Sequence, residues 1–283
     1  MSPKISVIIP FYNGANSLHR AVESVLNQNF EDWELILVND GSTDESSTVA
    51  KRYLSDSRIQ YLDQENKGVS AARNCGAEAA SAAWLIFLDA DDELSLNCLS
   101  TFSARVEDEI DLISSGIKRI SGHKEIIKLP QKGKYFSRIS GTFLIRRVFF
   151  LTIGGYDSNL KFAENTELFH RIRLNKGQEE VIAFVSLNYY ENEAGGSKNL
   201  RNMISSLNYF MEKHQSTLST HVKFLYHQII GVNHLRFQEY KEARFHLNKA
   251  LQIKPNFGTL ARWFIACLPF MAKKLYPEAV SYK

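Results

Sequence analysis

The chain has 283 residues, 44% hydrophobic and 23% charged, with a net charge of +3, enough for one large domain with an appendage or for two modest ones. Its three cysteines, Cys75, Cys98 and Cys267, stand far apart with no CxxC or Cys/His spacing, which excludes a disulfide framework and a structural zinc site and points to a reduced, cytoplasmic setting. No run approaches the ~20 apolar residues of a membrane-spanning helix, and Met1-Ser2-Pro3-Lys4 leads directly into strand-like Ile5–Ile9, too short and weakly flanked for a signal peptide.

The charge is unevenly spread. Lys198 to Lys283 carry 13 Lys and Arg against 4 Asp and Glu, a surplus of +9, whereas residues 1–197 carry 21 against 27, or −6. A basic C-terminal third suits an anionic membrane surface. Nucleic acid is set aside, because no helix-turn-helix, finger or aromatic RNA-binding signature accompanies the charge.

In chain order, Ile5–Ile9, Leu35–Val38, Ile59–Leu62 and Trp84–Leu88 read as strands. Leu18–Leu26, Ser46–Leu54 and Val69–Ala80 between them carry 3.6-period apolar positions. Strands separated by single helices predict right-handed crossovers and a mostly parallel sheet flanked by helices. In such sheets ligands bind beyond the carboxyl ends of the strands. Four tips then share the functional edge: Pro10 to Asn13, Asp40 to Asp44, Asp63 to Gly68, and Asp89 to Asp92. Further strands are expected at 111–117, 143–145 and 183–187, with a helix at 165–174, and everything beyond about Gly195 is expected to be helical.

The chemistry concentrates at Asp89-Ala90-Asp91-Asp92. Trp84 to Leu88 are five apolar residues without alternation, the pattern of a strand buried on both faces. Three carboxylates at its end repel one another, and a hard divalent cation, Mg2+ or Mn2+, relieves that repulsion while gripping a diphosphate. Asp92 alone could instead cap a following helix. Asn39-Asp40-Gly41-Ser42-Thr43-Asp44 follows another apolar strand and opens a helix, so its amides face the same edge, though Asp44 could be simply a cap. After the first strand, Pro10 is expected to end the ladder, and with Asp40 this tip could hold a flat base. A Walker loop and a dinucleotide fingerprint are both missing, and Asn13-Gly14-Ala15-Asn16 lacks the basic Gly-rich loop of a nucleotidyltransferase.

These pieces, with Asn66-Lys67-Gly68 and Ala71-Ala72-Arg73-Asn74, stand in the order of the family 2 glycosyltransferases, which the chain resembles over about residues 4 to 192. A later block, Leu144-Ile145-Arg146-Arg147 through Gly154-Gly155-Tyr156-Asp157 to Ala163-Glu164-Asn165-Thr166-Glu167-Leu168-Phe169-His170-Arg171, resembles that family's acceptor-side segment. The resemblance implies an α/β fold of GT-A type and inverting transfer from a nucleotide-sugar, commonly a UDP-sugar, to a glycan or lipid-linked hydroxyl. It implies that Pro10 and Tyr12 flank the base beside Asn13, that Asp40 accepts from uracil, and that Gly68, Arg73, Asp89 and Ala90 line the nucleotide. Asp91, with Asp92 and Asp89, would reach the metal. Inversion needs one carboxylate as general base. Where the family usually shows Glu-Asp, this chain has Glu164-Asn165, and an amide cannot take the proton. Either Glu164 or Glu167 substitutes, or the correspondence slips locally, or the chain is an impaired nucleotide-sugar-binding protein. Asn39 likewise replaces the first of two adjacent aspartates usual before Gly41.

The expected organisation is a catalytic domain over 1–195 and a helical region over 196–283. Within the latter, Gly231, Tyr240, Ala243, Ala250 and Pro255 have the offsets of one tetratricopeptide helix pair at 222–256, with Leu235, Phe245, Leu247 and Leu251 inward. Such a pair could cap the catalytic domain or bind a protein partner. Residues 259–276 read as an amphipathic helix kinked near Pro269, suited to peripheral contact at the inner face of the membrane or to docking on the core. The histidines of this region read as surface or packing residues. Specificity is expected in loops between Gly116 and Ser140 and around Gly195.

Overall fold

The computed structural model describes residues 3–131, 136–191 and 199–278. The expected domain boundary at 195/196, the loop around Gly195, and residues 132–135 of the other specificity loop lie outside the described residues. The chain divides into two compact units, Met1–Ser158 with Glu164–Asn192, and Asn159–Ala163 with Glu193–Lys283.

In the first unit, β1 (Ile5–Phe11), β2 (Trp33–Asn39), β3 (Ile59–Asp63) and β4 (Trp84–Phe87) run parallel in the order β3-β2-β1-β4. The intervening helices are α1 (Leu18–Leu26), α2 (Ser46–Lys51) and α3 (Val69–Ala79). Every residue of β1 is buried because helices cover both faces of the sheet. Successive side chains serve opposite layers. Val7 and Ile9 join α1 and α4 (Cys98–Ser103), while Ile8 joins α3. That second approach is close: a Cβ on Gly76 of α3 would lie 2.5 Å from Ile8 Cγ2. Only glycine lets the helix lie so near the strand.

Beyond β4 the sheet becomes mixed. Next to β4 lies β8 (Phe143–Arg146), antiparallel, then β6 (Leu112–Ser121), β9 (Glu179–Tyr190) and the two-residue β5 (Glu93–Leu94). An exposed β7 (Lys124–Lys128) pairs with β6. Two helices complete this unit, α5 (Arg147–Thr152) and α6 (Glu164–Leu174). The parallel half is the expected one.

One detail positions the site. The β1–β4 ladder ends at Ile8 and Phe87, and Leu88 N–H closes it on Ile8 O at 2.9 Å. On the other side β1 continues beside β2 to Phe11, whose carbonyl accepts from Asp40 N–H. Pro10 therefore does not end the strand, as expected, but lies inside it. Residues alternate between neighbours, so position 10, like Ile8, addresses the β4 side, where no partner strand remains.

The second unit is helical: α7 (Leu200–Lys213), α8 (Thr220–Arg236), α9 (Tyr240–Ile253), α10 (Phe257–Ala266) and α11 (Pro269–Leu275). Asn199, Ser219 and Asn256 cap α7, α8 and α10 through their side chains. The α8–α9 pair meets closely at Gly231, where a Cβ would lie 2.8 Å from Leu247 Cγ. Leu235 and Leu247 are buried as expected, but Phe245 is 57% exposed and packs nothing inward. The single helix expected over 259–276 is two, broken at Cys267 and Leu268. Pro269 lacks the N–H that continuation requires, and instead starts α11. Among the described residues no helix is long and apolar enough to cross a membrane.

Candidate active site

The four expected tips gather at the carboxyl edge of the parallel strands. At the β1 tip, Pro10 is buried and Tyr12 is 51% exposed. Asn13 takes a left-handed conformation, φ 51°, held by the neighbouring tip: its N–H donates to Ser42 Oγ at 3.0 Å and its Oδ1 accepts from Thr43 N–H at 2.8 Å. Its amide therefore braces the loop. At the β2 tip, Asn39 Oδ1 accepts from Ser42 N–H and Nδ2 donates to Asp63 Oδ1 at 2.7 Å. An aspartate at 39 would face Asp63 as a like charge, which accounts for the amide. Asp44 accepts from Ser46 N–H and Ala15 N–H, and burial, opposed by these bonds, leaves its carboxyl below the ordinary range.

Asp40 is 3% exposed and already well used. Its Oδ1 accepts from Gln64 Nε2 at 2.7 Å and Lys67 N–H at 2.9 Å, and its Oδ2 from Gly68 N–H at 2.8 Å. Two carboxylate oxygens offer about four lone-pair sites, so one acceptor direction remains. Gly68, at φ 89°, spends its amide on Asp40 while starting α3.

Arg73 of α3 is the centre of the arrangement. Its side chain is 2% exposed; Nη2 meets Asp89 Oδ1 at 2.6 Å and Nη1 meets Glu164 Oε1 at 3.3 Å. The guanidinium lies 5.1 Å above the Tyr156 ring. Burial pushes the guanidinium pKa down, but Asp89, Tyr156 and Glu164 together hold it above its ordinary value. Its Nε finds no acceptor among the described residues.

The acidic run divides in two. Asp89 lies at the lip with its side chain 35% exposed. Burial and then the Asp89 charge raise the Asp91 carboxyl. Asp91 O accepts from Arg20 Nη2, and the Arg20 guanidinium lies 3.9 Å above the Tyr190 ring. Asp92 differs: it is 1% exposed, Oδ1 accepts from Tyr190 N–H at 2.9 Å, and burial with the Asp89 charge pushes it up to about 9. It precedes β5, so it caps no helix, and it ties the run to β9 instead of facing the lip. Ala90 packs against the apolar layer. Among the described residues no three His, Cys, Asp or Glu side chains form a metal cage. Mg2+ and its like keep several waters and take one or two carboxylates plus phosphates. Asp89, whose side chain is 35% exposed, is accessible to such a cation, whereas Asp92 is 1% exposed.

On the acceptor side, Glu164 and Glu167 begin α6. Glu164 Oε1 accepts from Arg73 and, at 3.4 Å, from Asn165 Nδ2; Asn165 Oδ1 accepts from the Tyr156 hydroxyl at 2.9 Å. Burial raises the Tyr156 phenol, which keeps it a donor. Glu164 Oε2 has no partner among the described residues. Glu167 is fully buried and paired with Arg171, whose Nε lies 2.9 Å from both carboxylate oxygens. Arg171 in turn donates to Ile153 O and Gly155 O. Both Glu167 oxygens are thus engaged by Arg171, which presents Glu167 as one half of a buried ion pair. Beside Asn165 lies a small open cleft, with a cavity volume of about 20 Å3, lined by Phe136, Arg138, Thr166, Phe169 and Arg173. The roles of Tyr156, Arg20 and Tyr190 were not read from sequence, although Tyr156 lay inside the recognised block.

The model of the Glycosyl transferase family 2 matches residues 6–163. The chain belongs to this family. Its fold is of the GT-A type, with the sheet and flanking helices just described resembling those of solved glycosyltransferase structures. It is 39% identical over 141 residues to an uncharacterized glycosyltransferase of Rickettsia bellii (strain RML369-C), covering 50% of this chain and 19% of that one. It is 35% identical over 133 residues to the uncharacterized glycosyltransferase EpsJ of Bacillus subtilis (strain 168), covering 46% and 39%. The chain thus spans less than half the length of these family 2 relatives. Among solved structures, S. aureus TarS 1-349 in complex with UDP-GlcNAc superposes with a TM-score of 0.67 at 17% identity, covering 96% of this chain and 87% of that one. The mannosyltransferase PcManGT from Pyrobaculum calidifontis, in complex with GDP-Man and Mn2+, gives 0.62 at 14%, covering 99% and 89%. At these identities the likeness is one of fold.

Proposed function

We propose that this chain transfers a sugar, with inversion, from a nucleotide-activated donor of the UDP-sugar type to a glycan or lipid-linked hydroxyl. The observation that carries the reading is Arg73, one buried cation bridging Asp89 of the donor-side acidic run and Glu164 of the acceptor-side helix. Exposed Tyr12 offers a face for the base, and Asp40 keeps one acceptor direction for a ring N–H. Asp89 and Asp91 would hold Mg2+ or Mn2+, which when bound supplies charge neutralisation of the leaving diphosphate. Arg73 and Asn165 fix Glu164 Oε1, leaving Oε2 to receive the proton of the attacking hydroxyl. The complexes of the two structural neighbours with UDP-GlcNAc and with GDP-Man and Mn2+ support a nucleotide-sugar donor. The family and the basic helical region support a role in surface polysaccharide or glycoconjugate synthesis, at the inner face of a membrane. The close α8–α9 pair supports the reading of 222–256 as a tetratricopeptide-like helix pair, a helical cap in the first place and a protein-binding module as the alternative.

The test is nucleotide release from a panel of sugar nucleotides with Mn2+, with and without Glu164→Gln. The expected result is slow hydrolysis with at least one donor, reduced by about 10²-fold or more in Glu164→Gln while donor binding persists. No release and no thermal shift with any donor would sink the proposal. Asn165, an amide where the family usually has a carboxylate, favours a second reading, a nucleotide-sugar-binding protein with impaired catalysis. That reading gains if the native chain binds donor without turnover and Asn165→Asp creates it.

A further inference from the structure

On α10 and α11 large apolar side chains lie outside as well as inside the fold. Thr259, Ala266 and Ala272 are buried and Trp263 and Ile265 pack partly buried against the helical core, whereas Phe257 is 85%, Phe264 55%, Leu268 51% and Phe270 84% exposed. Leu260, Met271 and Leu275 are exposed as well. Within each helix the spacing groups them: 257, 260 and 264 follow one another by three or four residues along α10, 271 and 275 do so along α11, and Leu268 lies in the break between the two. Exposed apolar side chains grouped in this way on a folded unit mark a contact surface. From Phe257 to Leu275 the charged residues are Arg262, Lys273 and Lys274, with no Asp or Glu.

We propose that the α10–α11 face inserts into the interfacial region of an anionic lipid bilayer. Large apolar side chains without acidic neighbours, flanked by Arg and Lys, complement a surface that is apolar beneath and negative above. A second copy of the chain fits less well. A two-fold contact would set the same patch against itself, bringing Arg262, Lys273 and Lys274 toward their own equivalents with no carboxylate on the face to offset them. The inference is independent of the catalytic reading and stands or falls without any sugar donor.

The experiment is flotation of the full chain with vesicles of phosphatidylcholine alone and of phosphatidylcholine with 30–40 mol% phosphatidylglycerol, roughly the range in which surface charge governs polybasic binding. Binding is expected only with the anionic vesicles, and is expected to weaken as salt is raised. Because Phe264 and Phe270 lie outside the packed core, Phe264→Glu/Phe270→Glu should keep native circular dichroism and lose affinity by about tenfold or more. Lys273→Glu/Lys274→Glu should lose the preference for anionic lipid. Failure to float with anionic vesicles overturns the proposal, as does binding unaffected by Phe264→Glu/Phe270→Glu. A concentration-dependent dimer abolished by the Phe variant, without vesicle binding, would assign the face to a second copy, and a pure protein that neither floats nor dimerises leaves the lipid assignment refuted.

Discussion

Arg73 and Asp89 meet at 2.6 Å beneath the lip of the acidic run, and the same guanidinium extends to Glu164 at 3.3 Å. One side chain from α3 thus links the end of β4 with the start of α6. A lysine could keep the charge but not the fork that reaches both carboxylates. Arg73→Lys is expected to fold and to lose tenfold or more in turnover. Arg73→Ala leaves two carboxylates facing a buried gap and should cost about 3 kcal/mol of stability. Urea melts and single-turnover rates check both, and an Arg73→Lys variant equal to the native chain in each would contradict the bridging role.

Replacing Asn165 by aspartate removes the Nδ2 donor that steadies Glu164 and places a second carboxylate beside it. Like charges raise one another's proton affinity. With Glu164 as base, Asn165→Asp should shift the acidic limb of the kcat/KM profile upward by about one pH unit, with no gain at the plateau. A gain of tenfold or more at the plateau would instead make position 165 the base.

Glu167 offers a contrasting case on the same helix. Glu167→Gln strips Arg171 of its charge partner inside the unit, which should destabilise the fold by about 3–5 kcal/mol. The folded fraction, assayed well below its melting transition, is expected to keep kcat within about threefold, since the group acts through packing. A loss of kcat comparable with that of Glu164→Gln, at unchanged Tm, would return Glu167 to the chemistry.

His246, between α8 and α9, gives a pH dependence. Burial, followed by the charges of His227 and His234, pushes it down to about 4, and its Nδ1 lies 3.0 Å from His227 Nδ1. His227 is lowered too, by burial and Lys249. Below about pH 6.5 the unfolded chain binds protons that the folded one refuses, so stability falls as pH drops from 6.5 toward 4 and levels off below. The full effect is on the order of 3 kcal/mol. Thermal melts of the helical unit between pH 7 and pH 5, above most of the carboxylate range, should show the decline, and His246→Gln should flatten it.

Periodicity made the first half of the fold legible. The runs at Val7, Leu35 and Ile86 are continuously apolar, and the helices between the strands show apolar residues every three or four positions. Short or weakly patterned pieces escaped: β5 is two residues long and exists only through pairing with β9, and all five residues of β7 are exposed. The split between α10 and α11 was half legible, since Pro269 was visible but its place at a helix start was not. At the candidate site, the strand pattern foretold which tips share one edge of the sheet, yet the direction in which each oxygen points depends on distant partners. Asp92 is drawn under by the Tyr190 amide, 98 residues away. Glu167 carried a readable signal, the i,i+4 spacing to Arg171, which marks a helix ion pair more readily than a base.

The parting of β1 and β4 has its own chemical origin. Beyond Ile8 the next backbone group directed toward β4 belongs to Pro10, which has no hydrogen to donate. The ladder between the two strands loses a donor at that point, and their pairing stops at Ile8 and Phe87. The place where the acidic run leaves the sheet is thus marked by the lack of one proton in the backbone. Pro10→Val would restore that proton, and with it the chance for the ladder to extend.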